Sequence, residues 1–125
     1  MKTLRFAALS LMLLLSAGAF AQITRITNGD TLIIEFGIDP SQPKDCNLYQ
    51  GETNCKHLRV DGNGNGSVTC FMGFKSITVN KGTVANNYEY PTDSVEIIVN
   101  RNAKFYNNKN ISYGEITVNQ NAEFY

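Results

Sequence analysis

Two nonamers near the carboxyl end share one alternation of apolar and polar positions. Ile97-Ile-Val-Asn-Arg-Asn-Ala-Lys-Phe105 and Ile116-Thr-Val-Asn-Gln-Asn-Ala-Glu-Phe124 carry apolar residues at positions one, three, seven and nine, with Asn at four and six. Two earlier segments follow the pattern more loosely: Ile77, Val79, Asn80, Gly82 and Ala85 in one, Leu58, Val60, Asp61 and Asn63 in the other. The copies start at 58, 77, 97 and 116, a period of 19, 20 and 19 residues. A fixed period near twenty marks stacked supersecondary units.

Apolar side chains at every second residue turn one face of a strand inward, so Ile97 and Val99 define a strand. The Asn residues break it into a turn, and Ala103 and Phe105 point inward from a second short strand. Stacking the copies aligns Asp61, Asn80, Asn100 and Asn119 in one column and Asn63, Gly82, Asn102 and Asn121 in another. Asn and Gly suit the left-handed backbone of such turns, and stacked Asn side chains hydrogen-bond along a column. The pattern predicts an all-β chain: a short right-handed parallel β-helix, or solenoid, of about four rungs with an N-terminal hairpin cap. A small antiparallel β-sandwich, with Asn-Arg-Asn and Asn-Gln-Asn as hairpin turns, is the alternative. The period favours the solenoid, because a sandwich has no reason to repeat its turn residues at one offset.

Upstream, Ile23–Thr27 and Thr31–Phe36 flank Asn28-Gly29-Asp30 as a hairpin over the first rung, and Phe36, Ile38 and Asp39 fit an imperfect opening rung. Pro40 to Lys56 shows no strand pattern and reads as a surface excursion. No stretch beyond residue 21 shows helical periodicity with caps. Residues 1–21 combine Lys2 and Arg5, an apolar run from Phe6 to Leu15, and Ala19-Phe-Ala21, the layout of a cleaved signal peptide. The expected mature chain, 22–125, is a single β-domain: 22–57 as cap and cysteine loop, 58–125 as repeat rungs. It is secreted, periplasmic or displayed at the cell surface, with no membrane insertion after cleavage.

Removing residues 1–21 from the 125 leaves 104, enough for one modest core. Losing Lys2 and Arg5 from 11 basic residues leaves 9 against 11 acidic, a net charge of −2 without a basic run, which argues against nucleic acid as a partner. Fifteen Asn residues concentrate at the expected turns.

The cysteines of an exported chain are disulfide candidates: Cys46 with Cys55 across a short loop, or Cys70 with Cys55 pinning the loop to a rung. Asp61, Asn63 and Asn65, followed by Gly66 and Val68, match the first half of a calcium loop, although Met72 stands where a bidentate Glu belongs. Calcium is the one cofactor this spacing suggests. His57 has no orienting partner in sequence, and no nucleophile motif surrounds Ser94, Ser112 or Thr117, so no catalytic set is expected. With Phe105 and Phe124 inward, Tyr106 and Tyr125 face outward, and Tyr88, Tyr90 and Tyr113 join them as candidate binding residues for a sugar ring or a protein.

The run from Ala103 through Phe105, Tyr113, Ile116 and Val118 to Tyr125 resembles stacked β-helical modules of exported bacterial surface proteins. It is similar to the coat-hanger-stack modules of Bacteroidetes proteins and to the roughly twenty-residue rungs of haemagglutinin-type adhesins. It departs from the coat-hanger pattern at Gly114-Glu115-Ile116, where Gly-Phe precedes the strand in those modules. The resemblance implies a non-enzymatic exported β-protein for adhesion, scaffolding or assembly, with no functional residues carried over. Its partners would be a protein or glycan at the cell surface, or a second copy docking on the rung before Tyr125, which the sequence leaves uncapped. A carbohydrate-binding module using the tyrosines and the 40–56 loop, assisted by calcium, is the alternative.

Overall fold

The computed structural model describes residues 23–37, 45–61 and 66–125, apart from the side chains of Thr92, Asp93 and Tyr113. Residues 1–21, expected to be a signal peptide, and Ile38, Asp39, Asn63 and Asn65 lie outside the described residues. Eleven strands and no helix occur among them. They are β1 (Ile23–Asn28), β2 (Thr31–Phe36), β3 (Asp45–Tyr49), β4 (His57–Asp61), β5 (Ser67–Phe71), β6 (Ser76–Lys81), β7 (Thr83–Asn86), β8 (Tyr90–Val99), β9 (Lys104–Asn107), β10 (Ile111–Val118) and β11 (Glu123–Phe124).

The chain alternates between two sheets, one ordered β1-β2-β4-β6-β8-β10 and the other β3-β5-β7-β9-β11. β1 and β2 pair antiparallel, and every other neighbouring pair is parallel. Each even strand and the odd strand after it form one coil, five in all, and the four steps between successive coils make a β-solenoid of about four turns. A sandwich of hairpins would pair consecutive strands antiparallel within a sheet, and that alternative is overturned. Val118 lies beside Val99, and Ile116 beside Ile97, in direct parallel register.

The inward residues form columns. Leu32, Leu58, Ile77, Ile97 and Ile116 make one, and Ile34, Val60, Val79, Val99 and Val118 the next. Facing them from the second sheet stand Cys46, Val68, Val84, Phe105 and Phe124. The first four members of each column are buried. Each fully buried Leu, Ile or Val contributes about 1.5–3 kcal/mol against exposure, and no single coil can collect that alone.

The template needs two amendments. In the coil of β6 and β7 only Gly82 joins the strands, and the step from Val79 to Val84 is one residue shorter than that from Val99 to Phe105, so Val84 and not Ala85 faces inward beside Phe105. β3 falls inside the stretch read as a strandless excursion: Cys46 and Leu48 face in while Asn47 and Tyr49 face out, an alternation too short to stand out in sequence. The second strand of the N-terminal hairpin is itself the first rung, because β2 pairs directly with β4. β1 covers the edge of β2. Its Arg25, opposite the inward Ile34, reaches across the end of the coil to Asn47 O, at 3.4 Å, and to Glu52, at 2.8 Å. An inward charge on an edge strand is a common guard against edge pairing.

Candidate functional site

The two corners of each coil differ in kind, and the difference decides where surface chemistry can sit. The corner leading from the first sheet to the second is templated. Asn119 Nδ2 donates to Asn100 Oδ1 at 2.6 Å, Asn100 Nδ2 to Asn80 Oδ1 at 2.7 Å, and Asn80 Nδ2 to Asp61 Oδ1 at 2.6 Å. The other oxygen of Asp61 accepts from Arg59 Nε at 2.9 Å, so the candidate calcium carboxylate terminates the ladder, while Asn63 and Asn65 lie outside the described residues. The expected left-handed column is present where it is described, with φ of 86° at Gly82, 64° at Asn102 and 60° at Asn121.

The opposite corner is irregular. Its connections shorten from seven residues after β3 to four after β5 and three after β7. β8 starts at Tyr90 but joins β6 only from Glu96, so its first half projects beyond β6. Together these segments enclose a groove of about 640 Å³. Its rim carries Lys56, Lys75, Gln50, Asn54 and Ser94, and its floor includes Met72, Phe74 and Tyr90. The long 50–56 connection also walls a smaller hollow of about 280 Å³ that reaches to Asp30.

The tyrosines divide among three settings. Tyr106 and Tyr125 are stacked on the outside of the second sheet, ring centroids 4.7 Å apart and 6° from parallel, above the matching inward stack of Phe105 and Phe124. Stacking covers one face of each ring, and Tyr125, just beyond the end strand β11, stays 60 % exposed. The Tyr125 hydroxyl donates to Glu123 and holds that carboxyl below its usual range. Tyr90, expected outside, is 2 % exposed: its oxygen accepts the Phe74 N–H at 2.8 Å, and burial pushes the phenol up to about 12. Tyr88 is half-buried, edge-on to Tyr90 at 4.8 Å, and lines the groove. The backbone of Tyr113 belongs to β10, and its side chain is outside the description. A parallel stack of Tyr49 on Phe71, centroids 5.0 Å apart, escaped the sequence reading because it depends on β3.

The three cysteines are buried and unbonded, which corrects the expected disulfide. Cys46 and Cys70 both face inward on adjacent strands, but Cys46 pairs with Val68 and Cys70 with Leu48. Two residues along a strand combined with one strand spacing separate them by about 8 Å, beyond disulfide reach. Cys55 sits in the 50–56 connection under the groove. Burial pushes the Cys70 thiol up to about 12, and also raises Cys46 against the opposing pull of Arg25.

His57 is half-buried, with Nδ1 2.7 Å from Ser76 Oγ in the next coil. Among the described residues no cluster of three His, Cys, Asp or Glu side chains is placed to hold a metal.

Ile97 and Val99 are fully buried, whereas their column mates Ile116 and Val118 are 42 % and 45 % exposed.

Comparison of the chain with protein-family models, curated proteins and solved structures finds no match. The adhesin and coat-hanger likeness therefore rests on the repeat pattern alone.

Proposed function

We propose that the chain is a non-enzymatic exported β-solenoid of the bacterial surface or periplasm, serving adhesion, scaffolding or assembly through contacts made by its last coil. The observation that carries this reading is the emergence of two apolar columns at Ile116 and Val118 after four buried members each. β10 and β11 also stand at the ends of their sheets, and the Asn119 amide oxygen accepts nothing from the described residues. Unpaired strand edges, apolar side chains and an open carboxamide column are what each interior coil satisfies with another coil. The natural complement is a second copy of this chain. Arg25 and the antiparallel β1 guard the other end, so two copies meet open end to open end across a two-fold axis, their edge strands antiparallel. Export is supported by the charged, apolar and small-residue layout of residues 1–21.

Light scattering over a concentration series tests the reading. The wild-type chain is expected to dimerise with rising concentration, and Val118→Lys, which places a charge on an already exposed site, to stay monomeric with an unchanged circular dichroism spectrum. A wild-type protein that is monomeric at every concentration refutes the self-docking role.

A further inference from the structure

We propose that the groove at the irregular corner binds an acidic saccharide, with Lys56 and Lys75 on its carboxylate or sulfate and Tyr88 against a sugar ring. This is independent of the docking role, since the groove is built by the connections of the earlier coils.

Four observations converge on it. The groove, at about 640 Å³, has the volume of a small-ligand site. Lys56 and Lys75 occupy the same position in adjacent coils, where Lys75 N–H donates to Lys56 O at 2.7 Å. Like charges one strand apart repel, and neither lysine has an ion-pair partner among the described residues. Glu52, on the same connection as Lys56, is engaged by Arg25. An anion bridging both ammonium groups converts that repulsion into attraction.

Tyr88 is held for contact before any ligand arrives. Its ring lies against Gly73, where a Cβ would come within 2.5 Å of it. Its backbone is clamped by the fully buried Asn86, which donates from Nδ2 to Tyr88 O at 2.8 Å and accepts from Tyr88 N at 3.2 Å. A fixed ring with an apolar body and a polar tip suits the CH face of a pyranose.

The remaining rim selects a sugar over an acidic peptide. The amides of Gln50 and Asn54 and the hydroxyl of Ser94 are short donors and acceptors spread around the groove, as a polyhydroxylated ligand requires. Tyr90 on the floor accepts the Phe74 N–H and keeps its own phenolic proton to donate.

The test is a titration of the full chain, followed by calorimetry and by the ring protons of Tyr88, with three probes: a uronic-acid trisaccharide, the same trisaccharide reduced to its neutral form, and hexaglutamate. The uronide is expected to bind and to shift the Tyr88 ring signals, with the neutral form and hexaglutamate clearly weaker. Lys56→Gln and Lys75→Gln should each weaken uronide binding about fivefold, the upper end for a solvent-screened ion pair. The loss should shrink at high salt. Lys109→Gln, which removes an exposed charge outside the groove, should leave binding unchanged. Equal affinity for the neutral sugar, equal or tighter binding of hexaglutamate, an equal loss in Lys109→Gln, or no binding of the uronide each overturns the proposal.

Discussion

Replacing Asn100 by Ala cuts the carboxamide ladder in its middle, and replacing Asn119 trims its end. The two substitutions are alike in chemistry and unequal in cost. Asn100 donates to Asn80 and accepts from Asn119, so its loss removes two hydrogen bonds and leaves the Asn80 oxygen and the Asn119 amide unpaired. At about 1 kcal/mol net per bond, Asn100→Ala costs about 2 kcal/mol. Asn119 is exposed and gives up one bond to a site where water can substitute, so Asn119→Ala costs about 0.5 kcal/mol. Both leave the backbone bonds of the corner intact, among them Ala103 N–H to Asn100 O at 3.0 Å. Urea unfolding followed by far-ultraviolet circular dichroism reads the difference as a midpoint shift of about 1 M for Asn100→Ala. Asn100→Asp sharpens the test: it keeps an acceptor for Asn119 but sets an oxygen against the Asn80 oxygen, so it should be no better than Ala. Equal costs for Asn100→Ala and Asn119→Ala, or an Asn100→Asp protein as stable as wild type, refute the claim that a directional ladder stabilises this corner.

Three further outcomes follow from the geometry. Gly82→Ala should destabilise by about 2 kcal/mol or more, because φ is +86° and the added Cβ would lie 2.8 Å from Gly66 O, whereas Asn102→Gly, at φ 64°, should fold with little loss in the same urea assay. Non-reducing thiol assays should find no reactive cysteine in the native protein and three in denaturant, and a mapped disulfide in the refolded chain would contradict the unbonded arrangement. Stability should fall as pH rises from about 9 toward 12: the Cys70 thiol, ordinarily near 9.0, is held protonated to about 12 in the fold, so the unfolded chain releases its proton first and deprotonation favours unfolding. Tyr90 adds to the same alkaline loss, from 10.0 toward about 12, and a flat profile between those values rules out both buried groups as its source.

The columns were legible in sequence because a two-residue alternation and a twenty-residue period are both local statements. Ile97, Val99, Ala103 and Phe105 were placed inward from the nonamer alone, and all four are fully buried. The Asp61-Asn80-Asn100-Asn119 ladder follows from the same alignment, since parallel stacking puts equal template positions one strand apart. Sequence failed where the template bends. The template gives Ala85 a place that belongs to Val84 because one corner is a residue short, and β3 lies inside a stretch whose prolines and cysteines mask its alternation. Tyr90 looked like an outer tyrosine until the extension of β8 turned it beneath the groove, where Phe74 supplies its partner. The cysteines invited a Cys46–Cys55 or Cys55–Cys70 bridge because spacing along a chain does not say where the side chains point, and in the fold all three thiols are buried and unbonded.

Tyr90 and the 50–56 connection belong to the groove corner, whereas the Ala85 shift arises at the Gly82 turn of the ladder corner. At the ladder corner the last three coils each hold a left-handed residue, Gly82, Asn102 or Asn121, and side-chain hydrogen bonds run from Asn119 through Asn100 and Asn80 to Asp61, so a substitution at Asn80 or Asn100 is felt by two neighbours. The corner after β3, β5 and β7 has one coil-to-coil carboxamide bond, Asn86 Nδ2 to Asn107 Oδ1 at 3.0 Å, and its connections vary from seven to three residues without disturbing the columns. Freedom in length lets unlike residues from three coils converge, and Lys56, Lys75 and Tyr88 meet there although no two of them share a strand. The residues that hold the ladder recur at nearly one offset, whereas those that line the groove do not. Exchanging the 50–56 connection for a three-residue turn tests that difference directly: the groove should be lost while the cooperative unfolding of the stack persists, and a collapse of folding would show that this corner, too, belongs to the template.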